Sequence, residues 1–223
     1  MRIWSVVSQK GGSGKTTLLL HVSIAAMAKG LAVSIFDLDP QRSAEQWAEL
    51  RETLLKTEEP TVVHGAPIGL DGMIDAARET DTDLVLIDTP PAVDKSMIYA
   101  AAAADVVIVP TRSSVLDQFA LKETLDYLKR IGALAKTVVV LNAPSSDKKA
   151  SAAIERCAQD FGVDMLATTL EDQVDLVSSL QSGRGITESA PKRKAAKAVQ
   201  EIYRQLCEFD SSLARVRKKR LAS

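Results

Sequence analysis

The chain has 223 residues, 46% hydrophobic and 26% charged, with a net charge of −1; this suits one soluble domain over 1–223 with a core that needs neither disulfides nor metal. Only two cysteines occur, Cys157 and Cys207, far apart and without ligand-like spacing, so neither a disulfide framework nor a zinc site is implied, which points to the reducing cytosol. Apolar runs such as Ile98 to Ala104 and Val106 to Pro110 are too short to span a membrane, and residues 1–7 offer no cleavable apolar leader.

Short apolar, β-branched runs alternate with longer helical patterns. Strands are predicted at 3–7, 32–36, 84–87, 106–109 and 138–141, with weaker candidates at 61–64 and 165–167. They are apolar throughout, as parallel strands covered on both faces are. Helices are predicted near 15–29, 43–57, 69–79, 95–103, 115–131, 148–161 and 194–216. That order means an α/β fold: a doubly wound, mostly parallel sheet with helices on both faces.

The first strand runs into Gln9-Lys10-Gly11-Gly12-Ser13-Gly14-Lys15-Thr16-Thr17, and a helix follows. The ordinary phosphate loop G-x-x-x-x-G-K-[ST] would place glycine at position 9, where this chain has Gln9. The variant works by the same physics. Its glycines let successive N–H groups turn toward phosphate oxygens, and the next helix adds its N-terminal dipole. Lys15 suits the β- and γ-phosphates, and the Thr16 hydroxyl suits Mg²⁺. The ligand expected is therefore ATP with Mg²⁺.

Two aspartate motifs end later strands: Asp37-Leu38-Asp39-Pro40-Gln41 and Asp88-Thr89-Pro90-Pro91. Ligands of an open parallel sheet sit beyond the carboxyl ends of its strands, so both motifs converge on the loop. Asp88 suits Mg²⁺. One of Asp37 and Asp39 could position the attacking water, or either could cap the helix starting near Ser43. His21, His64, Trp4 and Trp47 have no ligand-like company and read as packing residues.

The C-terminal part is basic. Residues 192–223 hold ten Lys/Arg against three acids, leaving the rest of the chain at −8. Ala195, Val199, Ile202, Leu206, Phe209 and Leu213 form one apolar stripe of the last predicted helix, which Pro191 would open. Lys192, Arg193, Lys194, Lys197 and Arg204, with the tail from Arg215 to Arg220, are candidate phosphate contacts on a helix near a sheet edge. The alternative is a solvated face with a solubilising tail.

Residues 10–17, Asp37 to Gln41 and Asp88 to Pro91 together resemble the deviant Walker ATPases, the ParA/MinD superfamily. The run from Ala104 to Pro110 resembles the ParA branch. The first strand begins near residue 3, as in the short ParA type without a helix-turn-helix. The resemblance implies a nucleotide-sandwich homodimer in which Lys10 reaches phosphates bound by the other subunit. It assigns Lys10, Lys15 and Asp39 to catalysis, Asp39 orienting the water. It assigns Gly11, Gly12, Ser13, Gly14, Thr17 and Asn142 to the nucleotide, Asn142 at the adenine unless it serves only a turn. Thr16, Asp37 and Asp88 would serve Mg²⁺. It also implies slow hydrolysis stimulated by a small ParB-like partner, with the ATP-bound dimer on non-specific DNA at the nucleoid. A MinD-like membrane-surface role is the alternative, though the tail Leu213–Leu221 has charge and little apolar bulk. So is a cargo other than DNA. The segment from Thr111 to Asp117 matches the family only loosely.

Overall fold

The computed structural model describes residues 1–144, 148–171 and 173–221. Its strands are β1 (Arg2–Val6), β2 (Val33–Asp37), β3 (Thr61–His64), β4 (Leu84–Asp88), β5 (Val106–Thr111), β6 (Thr137–Leu141) and β7 (Asp164–Met165). The helices between them are α1 (Lys15–Met27), α2 (Ser43–Leu55), α3 (Leu70–Glu79), α4 (Lys95–Ala103), α5 (Val115–Arg130) and α6 (Lys148–Asp160). Then come α7 (Gln173–Gln181), α8 (Ile186–Ser189) and α9 (Lys194–Leu221).

The strands form one sheet in the order β3-β2-β4-β1-β5-β6-β7, every pairing parallel. Register sets the site: Asp37 pairs with Asp88, and Val6 with Asp88, so three strands end level. The strands β2, β4, β5 and β6 are buried at every position, and β1 at all but Arg2, which explains why they lack alternation.

Each face of the sheet carries its own core. On one side β1 and β5 pack against α1, α2, α7, α8 and α9 through Trp4, Leu18, Leu19, Ile24, Val199, Ile202 and Leu206. On the other, Val85, Ile87, Val107 and Val139 pack against α3 to α6 through Ile74, Met97, Leu121, Leu125 and Ile154. Each large aliphatic chain fully buried this way contributes roughly 1.5–3 kcal/mol. The helix α1 is buried nearly all round because it lies between the sheet and α9.

The elements differ from expectation in a few places. Strand ends move by one or two residues. The helices α7 and α8 stand where none was predicted. The helix α9 begins at Lys194, so Pro191 lies in the preceding turn rather than opening it. Its apolar stripe is buried as expected, but α9 lies over α1 and Trp4 of the central strand and not at a sheet edge. Trp4 donates to Asp210 on α9 through Nε1 (3.2 Å). His21 and both tryptophans are packed inside; His64 is half-buried on the edge strand. Among the described residues no helix is long and apolar enough to cross a membrane.

Candidate nucleotide site

The phosphate loop connects β1 to α1. Gly12 and Gly14 adopt φ of +74° and +92°, where side chains are strained. Gly14 caps α1, and a Cβ there would lie 1.9 Å from Asn142 Nδ2, so this position also needs the missing side chain for space.

Two groups in the loop are buried without partners. Lys15 is 7% exposed, and no described residue accepts a hydrogen bond from it. Burial lowers its pKa, while Asp88 and Asp39 pull the other way. Ser13 Oγ is likewise buried and unsatisfied. A buried ammonium and hydroxyl with nothing to bond are costly alone. An anion with several acceptor oxygens satisfies both.

Asp88 is fully buried at the end of β4. Its Oδ2 accepts from Thr16 Oγ1 (2.6 Å) and its Oδ1 from Thr89 N (3.1 Å). Burial pushes its pKa up to about 7, opposed by the Thr16 bond and reinforced by the charge of Asp37. Thr16 and Asp88 thus stand together as the hydroxyl and carboxylate that Mg²⁺ uses beside phosphates. Among the described residues no three His, Cys, Asp or Glu groups form a ready metal cage. A magnesium ion completed by phosphate oxygens and water does not require one.

The two aspartates after β2 differ. Asp37, fully buried, accepts from Asp39 N (3.0 Å), Ala44 N (3.0 Å) and Glu45 N (3.3 Å). It therefore caps α2 with Oδ2 and braces its own loop with Oδ1. Burial raises its pKa, against those three bonds. Asp39 is 8% exposed, and its Oδ1 accepts from Gln41 N (2.9 Å). Its charge acts on both Lys15 and Asp88, which puts it beside the loop.

Lys10 pairs with Asp117 of its own chain. Asp117 sits in a capping box with Ser114 at the start of α5. Burial would raise its pKa, yet the bonds from Lys10 and Ser114 hold it below the usual carboxylate range. Asn142, at the tip of β6, donates Nδ2 to the Ser13 carbonyl (2.8 Å) and accepts from Gln173 Nε2 (2.7 Å) through Oδ1. A cleft of about 500 Å³ opens beside Lys10, Gly12, Arg112, Val115 and Asp117. Val115, Leu116 and Phe119 stand exposed next to it at 65%, 68% and 59%.

Strand order and register thus gather Lys10 to Thr17, Asp37, Asp39, Asp88 and Asn142 at one end of the sheet. The five basic candidates are elsewhere, at and before the start of α9 and along it. All are exposed, but Arg193 pairs with Asp175, Lys194 with Glu171, and Arg204 with Glu201 and Glu208. The side chains of Arg217, Lys219 and Arg220 lie outside the described residues. Asp117 and Gln173 were missed in the sequence. The spacing Ser114-x-x-Asp117 signals the first. The second opens a helix whose Gln173, Leu176, Val177 and Leu180 follow helical spacing.

Residues 4–186 match the CobQ/CobB/MinD/ParA nucleotide binding domain, and the chain belongs to that family. A maintenance of carboxysome distribution protein A from Gloeobacter kilaueensis is 36% identical over 133 residues, 56% of this chain and 55% of that relative. The chromosome-partitioning ATPase Soj of Thermus thermophilus is 26% identical over 235 residues, 92% of this chain and 93% of Soj. Among solved structures, the septum site-determining protein MinD from Pyrococcus horikoshii, complexed with Mg-ADP, superposes with a TM-score of 0.72. It is 20% identical, over 92% of this chain and 95% of that one.

Proposed function

We infer that the chain is a ParA-type ATPase that positions a cargo, working as one ATPase domain over residues 1–223. The observation that carries this reading is the buried, unbonded ammonium of Lys15 between a glycine loop and the Thr16–Asp88 pair. The site favours a nucleoside triphosphate with Mg²⁺, and ATP is the one the family likeness favours; the MinD likeness, solved with Mg-ADP, supports that pairing.

In this reading the loop N–H groups, Lys15 and Thr17 take the phosphates. Thr16 and Asp88 hold Mg²⁺, with Asp37 bracing Asp39 and α2 at the metal's edge. Bound Mg²⁺ would neutralise charge on the β- and γ-phosphates. Asp39 orients a water whose oxygen attacks the γ-phosphorus as the bond to the β-phosphate oxygen breaks, releasing ADP. Lys10 exchanges Asp117 for phosphates of a second subunit, and the exposed Val115, Leu116 and Phe119 give that homodimer an apolar contact. A small ParB-like partner would accelerate hydrolysis. Lys192 and Lys197, with the tail, are the cations available to DNA phosphates, which would place the ATP-bound dimer on the nucleoid in the cytoplasm.

A second cargo reading has its own support. The carboxysome-distribution relative shares 36% identity over 56% of this chain, and three of five basic candidates are already paired with acids. A protein-shelled or other non-DNA cargo fits the same ATP cycle. A membrane-surface role has less support, because the C-terminal segment has little apolar bulk.

The test is ATP turnover and sedimentation of the wild type, Lys15→Ala and Asp39→Ala, with and without DNA. Wild type dimerises with ATP. Lys15→Ala loses nucleotide binding, and Asp39→Ala binds but does not turn over. An Asp39→Ala rate equal to wild type removes Asp39 from the mechanism. Failure of ATP to promote dimerisation and DNA binding ends the partition reading.

A further inference from the structure

One oxygen beside the phosphate loop depends on a single donor. Asp117 Oδ2 accepts from the Ser114 N–H (3.0 Å) and the Ser114 hydroxyl, as part of the cap of α5. Asp117 Oδ1 accepts from Lys10 Nζ, and among the described residues nothing else donates to it. The carboxylate is only 4% accessible, so water is a poor substitute. If Lys10 leaves for phosphates, a nearly buried charge loses its partner. That costs far more than parting a pair in open solvent.

The cleft of about 500 Å³ at this point carries a second cation. Lys10, Gly12, Ser114, Asp117 and Arg112 all line it, and among the described lining residues Arg112 is the only cation besides Lys10. The backbone fixes where Arg112 stands, just past the end of β5. Its carbonyl accepts from Thr111 Oγ1 (3.2 Å), and its neighbours Thr111 and Ser113 are buried. Its side chain is exposed, and no described residue bonds to or pairs with its guanidinium. A cation without a partner thus shares a cleft with a carboxylate about to lose one.

We propose that Arg112 is the replacement partner of Asp117: when Lys10 leaves, the Arg112 guanidinium folds across the cleft and donates to the vacated Oδ1. A guanidinium suits this because it is always charged, weakly hydrated and a strong donor to carboxylates. The exchange keeps Asp117 ionised and the cap of α5 intact while Lys10 engages the second subunit. Arg112 is then a positioning residue that acts on Lys10 through Asp117. The inference rests on the reading in which Lys10 crosses to a second subunit.

The experiment measures dimerisation of the full chain with Mg-ATP by sedimentation. The proteins are wild type, Arg112→Gln, Arg112→Lys, Asp117→Asn and the double variant of Arg112→Gln with Asp117→Asn. Arg112→Gln should weaken dimerisation about fivefold, the worth of a good partly exposed ion pair. Arg112→Lys keeps the charge and should stay within about twofold of wild type. In the Asp117→Asn background Arg112→Gln should have no effect, because a neutral amide needs no replacement cation. Without nucleotide, Arg112→Gln should leave the urea midpoint where it was, since Arg112 has no partner in that state. An equal loss in both Asp117 backgrounds means that Arg112 touches the second subunit or its phosphates directly, and overturns the proposal. No loss in either background overturns it too. A wild type that does not dimerise with ATP overturns the dimer reading and the proposal with it.

Discussion

Gly14→Ala tests the contact between the phosphate loop and β6. A Cβ at Gly14 would stand 1.9 Å from Asn142 Nδ2, far inside contact distance. Asn142 has to swing away, losing its bonds to the Ser13 carbonyl and to Gln173. Two buried hydrogen bonds at about 1 kcal/mol each give about 2 kcal/mol. Holding alanine at a φ of +92° adds about 1 kcal/mol. Gly14→Ala should therefore cost about 3 kcal/mol of folding stability. Asn142→Ala alone forfeits the same two bonds and should cost about 2 kcal/mol. The double variant has no clash left to pay for, so its cost stays near about 3 kcal/mol and the coupling energy is about 2 kcal/mol. Urea denaturation of the four proteins without nucleotide reads all four terms. Strictly additive costs would refute the contact.

Two further outcomes follow from the geometry. His21 is fully buried; burial lowers its pKa to about 4, with the Leu176 backbone partly offsetting this, and its Nδ1 accepts from Ile186 N (3.2 Å). The unfolded chain then holds more protons between about pH 4 and 6.5, so this residue's contribution is complete above 6.5 and lost as pH falls. Asp88, raised to about 7 by burial, drives the opposite slope, so the measurement is the difference between wild type and His21→Asn. That difference should shift by about 2 kcal/mol against the wild type from pH 7.5 to pH 5; an unchanged difference refutes it. Asp117→Asn keeps the cap of α5 but removes the charge holding Lys10. It should tighten ATP-dependent dimerisation by about two- to fivefold in sedimentation, and weaker dimerisation would show that the pair supports the dimer.

Most of the fold was legible because buried parallel strands are written as continuous apolar runs, and the loop and aspartates mark their ends. What escaped has a physical reason. The helices α7 and α8 are short, and Leu176 and Ile186 are buried by packing on α1, a long-range fact. The role of Asp37 was open because an acid after a strand serves a cap or a metal equally well. Only the distances to Ala44 N and Glu45 N show the cap. The partner of Lys10 lies 107 residues away, at a position where the family likeness is loose. The basic residues read as a free surface because sequence does not show Asp175 and Glu171 folding back onto Arg193 and Lys194.

Several of the groups assigned to nucleotide chemistry are already engaged with other side chains or backbone of the site. Lys10 holds Asp117, Thr16 holds Asp88, and Asn142 holds Ser13 and Gln173. Binding at Lys10 and Thr16 is therefore an exchange of partners, and an exchange yields far less net free energy than the gross strength of the new bonds. Lys15 and the Ser13 hydroxyl differ, both buried and unbonded, so their phosphate contacts form without breaking one. This asymmetry orders the events. In the proposed cycle phosphates would be captured first through Lys15 and the loop, at modest affinity. Lys10 would move later, because leaving Asp117 puts a 4%-accessible carboxylate in an unpaired state that only a second subunit or a new donor relieves. An affinity for ATP that rises with protein concentration is the expected consequence, since the second exchange is intermolecular.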